Sequence, residues 1–277
     1  MHIYISADIE GVAGVVSPSQ TVQSGFEYQQ ARQWMTDEVL AACEGAMAGG
    51  ATSLTVSDSH GNGQNLLLER FPENVRIVRN WPRPLGMMQG VEQDVPAGVF
   101  LLGYHTGAHH AKGVLAHTIS GRLIKSLRIN DEPATETQLS LYIAAHYRVP
   151  VIFASGDDEF INYAKTTLGD AAITVETKRA TGRYSANTLS PVASCAAIRS
   201  AAQAAVESLP QTSGDPASAP VKIEVEFQRH LPAELLAFLP QFERVGSTGV
   251  VSVADDIVAA SALLQFISGV TFDEQLP

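Results

Sequence analysis

Apolar and polar positions alternate along the first segment of the chain, which predicts a β-strand at residues 3–9. One face of this strand carries Ile3, Ile5, Ala7 and Ile9, and the other carries Tyr4, Ser6, Asp8 and Glu10. Asp8 and Glu10 therefore leave the strand on the same side, just before Gly11 allows the chain to turn. Two carboxylates this close repel each other and are costly to bury without a cation. The pair predicts a metal site, unless the strand end frays and leaves both carboxylates in water.

Similar patterns predict strands and helices that alternate along most of the chain. Short β-branched or continuous apolar runs indicate strands, and apolar positions at helical spacing indicate helices. Further predicted strands lie at residues 52–57, 75–78, 98–103, 114–119, 123–129, 150–155, 173–178, 221–227 and 249–253. Predicted helices lie at residues 27–48, 134–147, 158–168, 191–209 and 257–267, with short ones near residues 66–68 and 235. The alternation predicts an α/β fold with a central mixed, largely parallel sheet.

One stretch has the composition of a linker, and it sets the predicted domain organisation. Residues 210–220 are rich in proline, serine and other small residues. They separate a catalytic α/β core at residues 1–209 from a C-terminal α/β lobe at residues 221–277. Because the lobe is short, we expect it to belong to the same domain as the core.

Composition and charge narrow the class of protein. The chain has 277 residues, 45% apolar residues and a net charge of −11, so it is globular and acidic. An acidic chain without a basic stripe is not expected to bind nucleic acid. The first residues lack the pattern of a signal peptide, and no apolar run approaches the roughly 18 residues of a membrane span. Cys43 and Cys195 are too few for a cysteine metal site. These features predict a cytoplasmic protein.

Candidate ligands collect at the carboxyl ends of the predicted strands, where open α/β sheets bind their ligands. Asp8 and Glu10 follow the first strand, His60 follows the second and His105 follows the fourth. A single histidine at such a position is more often a structural or surface residue. The carboxyl ends of three predicted strands carry two carboxylates and two imidazoles in total. Together these side chains predict one shared ligand site.

Glu136 is the fifth candidate ligand. It shares a predicted helix face with Leu139 and Ile143, which should point into the core, where a carboxylate needs a cation or hydrogen-bond donors. Its alternative role is that of a first-turn residue favoured by the helix dipole. Asp58 either orients the ring of His60 or caps the segment that follows it.

The ligand set predicts the metal. Mixed imidazole and carboxylate ligation suits zinc, with manganese or cobalt as substitutes. Five ligands exceed what one tetrahedral zinc needs if it keeps a water, which predicts two metal ions bridged by a carboxylate, about 3.5–4 Å apart. Motifs of other mechanisms, such as Gly-x-Ser-x-Gly, the Walker lysine loop and Cys-x-x-Cys, are absent from the sequence.

Six segments resemble the M55 metallopeptidases, DppA-type D-aminopeptidases that were first described as dipeptide transport proteins. These segments are residues 6–12, 56–60, 100–105, 116–118, 129–136 and 155–158, and the likeness is specific from residue 1 to about residue 191. In that family the positions matching the five candidate ligands hold two zinc ions, with Asp8 as the bridge. The position matching His117 is the catalytic histidine. The resemblance further implies a three-layer α/β/α subunit and a decameric ring.

The function implied by this resemblance is zinc-dependent hydrolysis of short D-amino-acid peptides such as D-Ala-D-Ala. His117 would assist a metal-activated water as general acid/base, or act as the nucleophile. Asn130, Lys178 and Arg183 are candidates for binding the carboxylate of the substrate, and the two cations are otherwise surface residues.

Two other functions compete with this one. The first is a dinuclear hydrolase of another amide, such as a peptidoglycan-derived peptide or an acylated amino acid. The second is a non-catalytic dipeptide-binding component of a transporter. The loop at residues 106–113 is longer than the family pattern, and we expect His109 and His110 within it to be loop residues.

Overall fold

The computed structural model describes residues 1–169, 172–210 and 215–272. Its strands are β1 (His2–Ala7), β2 (Ser53–Asp58), β3 (Val75–Val78), β4 (Gly98–Tyr104), β5 (Ile124–Ile129), β6 (Glu132–Pro133), β7 (Val151–Asp157), β8 (Ile173–Gly182), β9 (Ser185–Thr188), β10 (Val221–Phe227), β11 (Glu243–Val245) and β12 (Gly249–Ala254). Over the described ranges, a central seven-stranded sheet has the order β3-β2-β1-β4-β7-β8-β9. Its neighbours are parallel except β8 and β9, which form an antiparallel pair. The predicted mixed, largely parallel sheet is confirmed.

The helices of the described residues are α1 (Tyr28–Ala48), α2 (Glu136–His146), α3 (Asp158–Leu168), α4 (Pro191–Glu207), α5 (His230–Leu236) and α6 (Ile257–Gly269). Helices α1 to α4 pack on the two faces of this sheet. Ile3 and Ile5 of β1 join the hydrophobic core that includes α1 and α4, whereas Tyr4 joins the core that includes α2, α3 and α6. The alternation predicted for the first strand therefore separates two cores, one on each face of the sheet.

A second sheet was not predicted from the sequence. It is antiparallel, with the order β11-β12-β10-β5-β6 in the described part of the chain. Because β10 pairs with β5, the segment after residue 220 completes a sheet that starts before α2. Residues 211–214 of the predicted linker and 273–277 of the predicted lobe lie outside the described residues, and the domain boundaries stay a prediction.

The predicted strand at residues 114–119 is wrong. Leu115 and Ile119 have φ angles of 57° and 60°, in the left-handed region that extended strands do not use. Local apolar pattern could not reveal this turn, because a β-branched residue such as Ile119 is rare there unless tertiary contacts hold it. Leu115 and Ile119 lie on either side of His117, so the turn determines where the His117 side chain points.

Candidate metal centre

The carboxyl ends of three parallel strands meet at one edge of the central sheet, because β1 lies between β2 and β4. Asp8 N donates to the Leu102 carbonyl at 2.8 Å, and Gly11 N donates to the Gly103 carbonyl at 2.7 Å. A Cβ on Gly11 would lie 2.2 Å from the Tyr104 carbonyl oxygen, and one on Gly103 would lie 2.3 Å from the Asp8 carbonyl oxygen. Glycine at both positions therefore allows close contact between the backbone that follows β1 and the backbone at the end of β4.

The site consists of two groups of side chains, and in each group the potential ligand atoms lie within 4.8 Å of one another. The groups are Asp8, Glu10 and His60, and His105, His117 and Glu136. Asp8 faces both groups: its Oδ1 is 3.2 Å from His60 Nδ1, and its Oδ2 is 3.4 Å from His105 Nε2. The structure thus brings all five predicted ligands together, with one carboxylate between the two halves.

The remaining distances complete each group. Glu10 Oε2 lies 3.0 Å from His60 Nδ1, on the same ring nitrogen that Asp8 approaches. Glu136 Oε2 lies 3.5 Å from His105 Nε2, and Glu136 Oε1 lies 3.9 Å from His117 Nε2. The ring of His117 stacks on that of His105 with centroids 4.2 Å apart. By distance alone, His117 could also bind a metal ion with His105 and Glu136.

Backbone carbonyls orient all three imidazoles. The pairs are His60 Nε2 with the Thr21 carbonyl, His105 Nδ1 with the Thr106 carbonyl and His117 Nδ1 with the Leu115 carbonyl, at 2.7–2.9 Å. Since a carbonyl oxygen only accepts, each of these nitrogens carries the hydrogen, and the other nitrogen of each ring can present a lone pair to the site. Such hydrogen bonds are typical of histidines that bind metal ions.

The donor set and the unpaired atoms fit a metal ion. His105 Nε2 and Glu10 Oε2 are buried and have no hydrogen-bond partner among the described residues. Buried polar atoms without partners are costly, so they indicate that an ion binds between the groups. Imidazole nitrogens with carboxylate oxygens are ligands that zinc accepts.

The electrostatics of the site favour cations. Burial alone would raise the pKa of Asp8, but the neighbouring imidazoles of His105 and His60 hold that pKa well below its usual value. Burial would likewise raise the pKa of Glu136, and the charge of His105 lowers it. Burial lowers the pKa of both His60 and His105, yet the neighbouring carboxylates, Glu10 first for His60 and Glu136 first for His105, raise it well above 6.5. Both carboxylates are therefore ionised, and they attract positive charge.

Asp58 supports the loop after β2 and does not touch the ring of His60. Its Oδ2 accepts hydrogen bonds from the backbone N–H groups of Asn65 and Leu66, at 2.6 and 2.9 Å. The Asn65 side chain joins Asp58 Oδ1 to the His60 carbonyl. Asp58 therefore acts on His60 only through the backbone of that loop.

The three residues predicted to bind a substrate carboxylate are separated in the structure. The Asn130 side chain donates to the Ser218 carbonyl and accepts from Lys222 N, within the second sheet. Lys178 is fully buried, and its ammonium group donates to backbone carbonyls. Arg183 is exposed, with its guanidinium 5.6 Å from the Tyr184 ring. In this arrangement the side chains of Asn130 and Lys178 serve the fold.

Two supporting contacts were not predicted from the sequence, one at the site and one in the loop that follows β1. The carbonyl of Thr21 lies in a polar loop with no motif, so nothing in the sequence pointed to its bond with His60. Glu38 accepts hydrogen bonds from Ala13 N and Ser194 Oγ, and it is buried. Its position beside Val39 on the apolar face of α1 was the signal that could have revealed it.

Comparisons with known proteins agree with this geometry. A family model for the M55 peptidases, described as D-aminopeptidase, matches residues 1–266. The chain belongs to this family. It is 28% identical over 263 residues to a D-aminopeptidase of Bacillus subtilis strain 168, and the match covers 94% of each chain. Its fold is similar to the solved structure of the Zn-dependent D-aminopeptidase DppA from Bacillus subtilis, a self-compartmentalizing protease. That likeness has a TM-score of 0.93 and 25% identity, and covers 100% of both chains.

Membership of the M55 family confirms the resemblance, the α/β class and the assignment to the peptidases. The two ligand groups and the zinc dependence of the similar DppA structure support a metal-dependent peptidase. In the part of the chain that the structure describes, none of the helices has the length and apolar character needed to cross a membrane. The cytoplasmic location stays a prediction.

Proposed function

We propose that this member of the M55 family is a zinc-dependent aminopeptidase that hydrolyses short D-amino-acid peptides such as D-Ala-D-Ala. The observation that carries the proposal is the position of Asp8, which presents one carboxylate oxygen to each of two ligand groups. A carboxylate in this position suits a pair of metal ions. The names of the relatives, both D-aminopeptidases, support the stereochemistry of the substrate.

Two zinc ions would be held by five residues of this chain. Glu10 and His60 would bind one ion, His105 and Glu136 would bind the other, and Asp8 would bridge them. When bound, zinc polarises the peptide carbonyl and makes a bound water more acidic. Manganese and cobalt accept similar ligands and are expected to substitute for zinc.

His117 is the proposed catalytic residue. Its Nδ1–H donates to the Leu115 carbonyl, so Nε2 keeps a lone pair that can accept a proton from water or attack the carbonyl. The His117 side chain is 20% exposed, against 11% for His60 and 3% for His105. It is therefore the imidazole most accessible to a substrate. Its proton can then pass to the amine that leaves when the peptide bond breaks.

We also propose that the chain assembles into a homo-oligomer that encloses its active sites. The similar DppA structure is that of a self-compartmentalizing protease, and the family resemblance implies a decameric ring. Enclosure would restrict substrates to short peptides, which agrees with the proposed substrate class.

The first experiment compares two dipeptides on zinc-loaded and chelator-stripped protein. We expect zinc-loaded protein to release D-alanine from D-Ala-D-Ala and to leave L-Ala-L-Ala intact. Chelation should abolish turnover and zinc should restore it. Equal turnover after exhaustive chelation would refute the metal mechanism. Tight zinc binding without cleavage of either peptide would favour a hydrolase of another amide, and binding of dipeptides without any turnover would favour a transport component.

Metal content separates the roles of the site residues. We expect about two zinc ions per chain in the unsubstituted protein, about one in Glu10→Gln, and fewer than one in Asp8→Asn, because only Asp8 faces both groups. His117→Ala should keep both ions and lower kcat by about 10²–10⁴-fold, the usual contribution of a general acid or base. Loss of one zinc ion from His117→Ala would instead make His117 a ligand.

A further inference from the structure

A cavity of about 330 Å³ lies directly beside the metal centre. Glu136, a proposed zinc ligand, is part of its wall, and Leu139 and Ile143 continue the wall along the same face of α2. Trp81 and the segment that follows it form a second wall, and the end of α6 with Ser268 closes the cavity. The volume is at the small end of the range of about 300–1,000 Å³ that is typical of ligand pockets. It suits one large side chain better than a long peptide.

The lining of the cavity is largely apolar. Apolar atoms of Trp81, Leu139 and Ile143 face it, and its polar groups are hydroxyls such as that of Ser268 and one amide. Among the described residues that line it, Glu136 carries the single charge. A carboxylate buried in this cavity would find no cationic side chain in its lining, which is costly, whereas an aliphatic side chain would be stabilised by leaving water.

Hydrogen bonds hold one wall of the cavity in place before any ligand binds. The Trp81 indole N–H donates to the Gly61 carbonyl at 2.7 Å, in the loop that follows His60. The guanidinium of Arg83 lies 4.4 Å from the centre of the Trp81 ring. Arg83 is itself buried and donates to Ser57 Oγ. A preformed wall costs less free energy on binding than one that must be ordered.

We propose that this cavity binds the side chain of the amino-terminal residue of the substrate, and that it selects apolar D-residues larger than alanine, such as D-leucine. The proposal rests on the proposed function. An aminopeptidase holds the amine and the carbonyl of the first residue at its metal centre, so the side chain on the intervening Cα must project beside that centre. The cavity that shares Glu136 with the centre is the space next to it.

The apolar lining also disfavours a class of substrates. Peptides that begin with D-glutamate would place a carboxylate against an apolar wall that offers it no cationic side chain. We therefore expect the enzyme to discriminate against acidic amino-terminal residues, although their backbone is identical.

The test measures kcat/KM for D-Leu-D-Ala, D-Ala-D-Ala and D-Glu-D-Ala on the zinc-loaded protein. Burial of the extra methyl and methylene groups should give D-Leu-D-Ala an advantage over D-Ala-D-Ala of at least about tenfold. D-Glu-D-Ala should be slower than D-Ala-D-Ala by about tenfold or more. A kcat/KM for D-Leu-D-Ala no higher than that for D-Ala-D-Ala would overturn the proposal.

A pair of variants of α6 links the preference to the cavity. Ser268→Phe fills the cavity and should lower kcat/KM for D-Leu-D-Ala by at least about tenfold, mainly through KM, with a smaller effect on D-Ala-D-Ala. Ala262→Phe places the same side chain at an exposed position of the same helix and should change neither value by more than about twofold. An equal loss for both substrates in Ser268→Phe would contradict a role in selecting the side chain.

Binding of the free amino acids gives a readout that does not depend on turnover. By calorimetry, D-leucine should bind the zinc-loaded protein at least about tenfold more tightly than D-alanine, and Ser268→Phe should abolish the difference. If neither dipeptide is cleaved, the proposed function fails, and this measurement still decides whether the cavity binds an apolar side chain. Equal affinity for the two amino acids would overturn the cavity proposal alone.

Discussion

Glu38 shows how one buried carboxylate controls the loop that follows β1. Its Oε1 accepts hydrogen bonds from Ala13 N at 3.0 Å and from Ser194 Oγ at 2.7 Å, while Oε2 is buried without a hydrogen-bond partner in the described structure. Burial raises the pKa of Glu38 from its usual value of 4.5 to about 7. The ionised form of this side chain is therefore disfavoured by the fold.

The raised pKa predicts a pH-dependent difference between the unsubstituted protein and Glu38→Gln. A group with a raised pKa contributes stability that is fully present below the unfolded pKa, near 4.5, and is lost as pH rises through about 7. Glutamine stays neutral, so from pH 4.5 to 8 the unsubstituted protein should lose roughly 3 kcal/mol of unfolding free energy relative to the variant. Urea unfolding at several pH values measures this difference. Glu44→Gln, at an exposed position of the same helix, should show no such trend, and a constant difference for Glu38→Gln would contradict the assignment.

The candidate metal ligands were the part of the site that could be predicted from the sequence. Asp8, His60 and His105 follow short apolar strands, and the exits of parallel strands share one edge of a sheet, so sequence alone placed them together. The hydrogen bond from His60 to the Thr21 carbonyl could not be predicted in the same way, because any residue type can supply a carbonyl. The burial of Lys178 was not predicted, since a charged residue in a strand gives no sign of its burial.

At the level of elements, Lys178 connects β8 to the loop that carries Glu10. Its ammonium group donates to the carbonyls of Glu10, Val12 and Val15 at 2.5–2.8 Å. Burial lowers the pKa of Lys178 from 10.5 to about 8, so the group remains largely protonated at neutral pH. The neighbouring Thr177 hydroxyl donates to the Gly11 carbonyl at 2.6 Å. Strand β8 thus fixes the backbone of the loop that carries Glu10.

Removal of this ammonium group should weaken both the fold and the metal site. Lys178→Met removes the ammonium donor from the carbonyls of Glu10 and Val15, while the Val12 carbonyl still accepts from Val15 N, so the free energy of unfolding should fall by roughly 3 kcal/mol. Glu10 would lose its fixed position, and zinc affinity should fall by about 10–100-fold, as when other supporting contacts of metal ligands are lost. Denaturant unfolding and zinc titration measure the two effects. Lys165→Met, at an exposed position of α3, is the control, and unchanged zinc affinity in Lys178→Met would show that the loop holds Glu10 without Lys178.

The turn at residues 114–119 is a secondary structure that the sequence alone could not predict. Its apolar pattern is that of a strand, but Leu115 N donates to the Arg183 carbonyl and Ile119 N donates to Glu136. These partners are distant in sequence, and they stabilise left-handed backbone that the residues would not adopt alone. The second sheet was missed for a similar reason, because the pairing of β5 with β10 is set by tertiary structure.

For the molecule as a whole, the metal centre joins elements that are far apart in the chain. The proposed ligands come from the exits of β1, β2 and β4 and from the first turn of α2, so zinc would cross-link the central sheet to α2. A ligand that binds only the folded state stabilises it by about 2.7 kcal/mol at a free concentration 100 times its Kd. For a chain of this size, that corresponds to an increase in Tm of about 5–10 °C.

Thermal unfolding with and without zinc therefore tests whether the two ligand groups act as one centre. We expect zinc to raise the Tm of the unsubstituted protein by about 5–10 °C and to have little effect on Asp8→Asn, because that substitution removes a ligand from both groups. Without zinc, Asp8→Asn should unfold at a lower temperature at neutral pH, since the imidazoles of His60 and His105, which hold the pKa of Asp8 well below its usual value, would lose their ionised partner. Asp255→Asn changes an exposed aspartate before α6 and should respond to zinc like the unsubstituted protein. A full zinc shift in Asp8→Asn would mean that the ions bind without the bridge, and the two groups would then be independent sites.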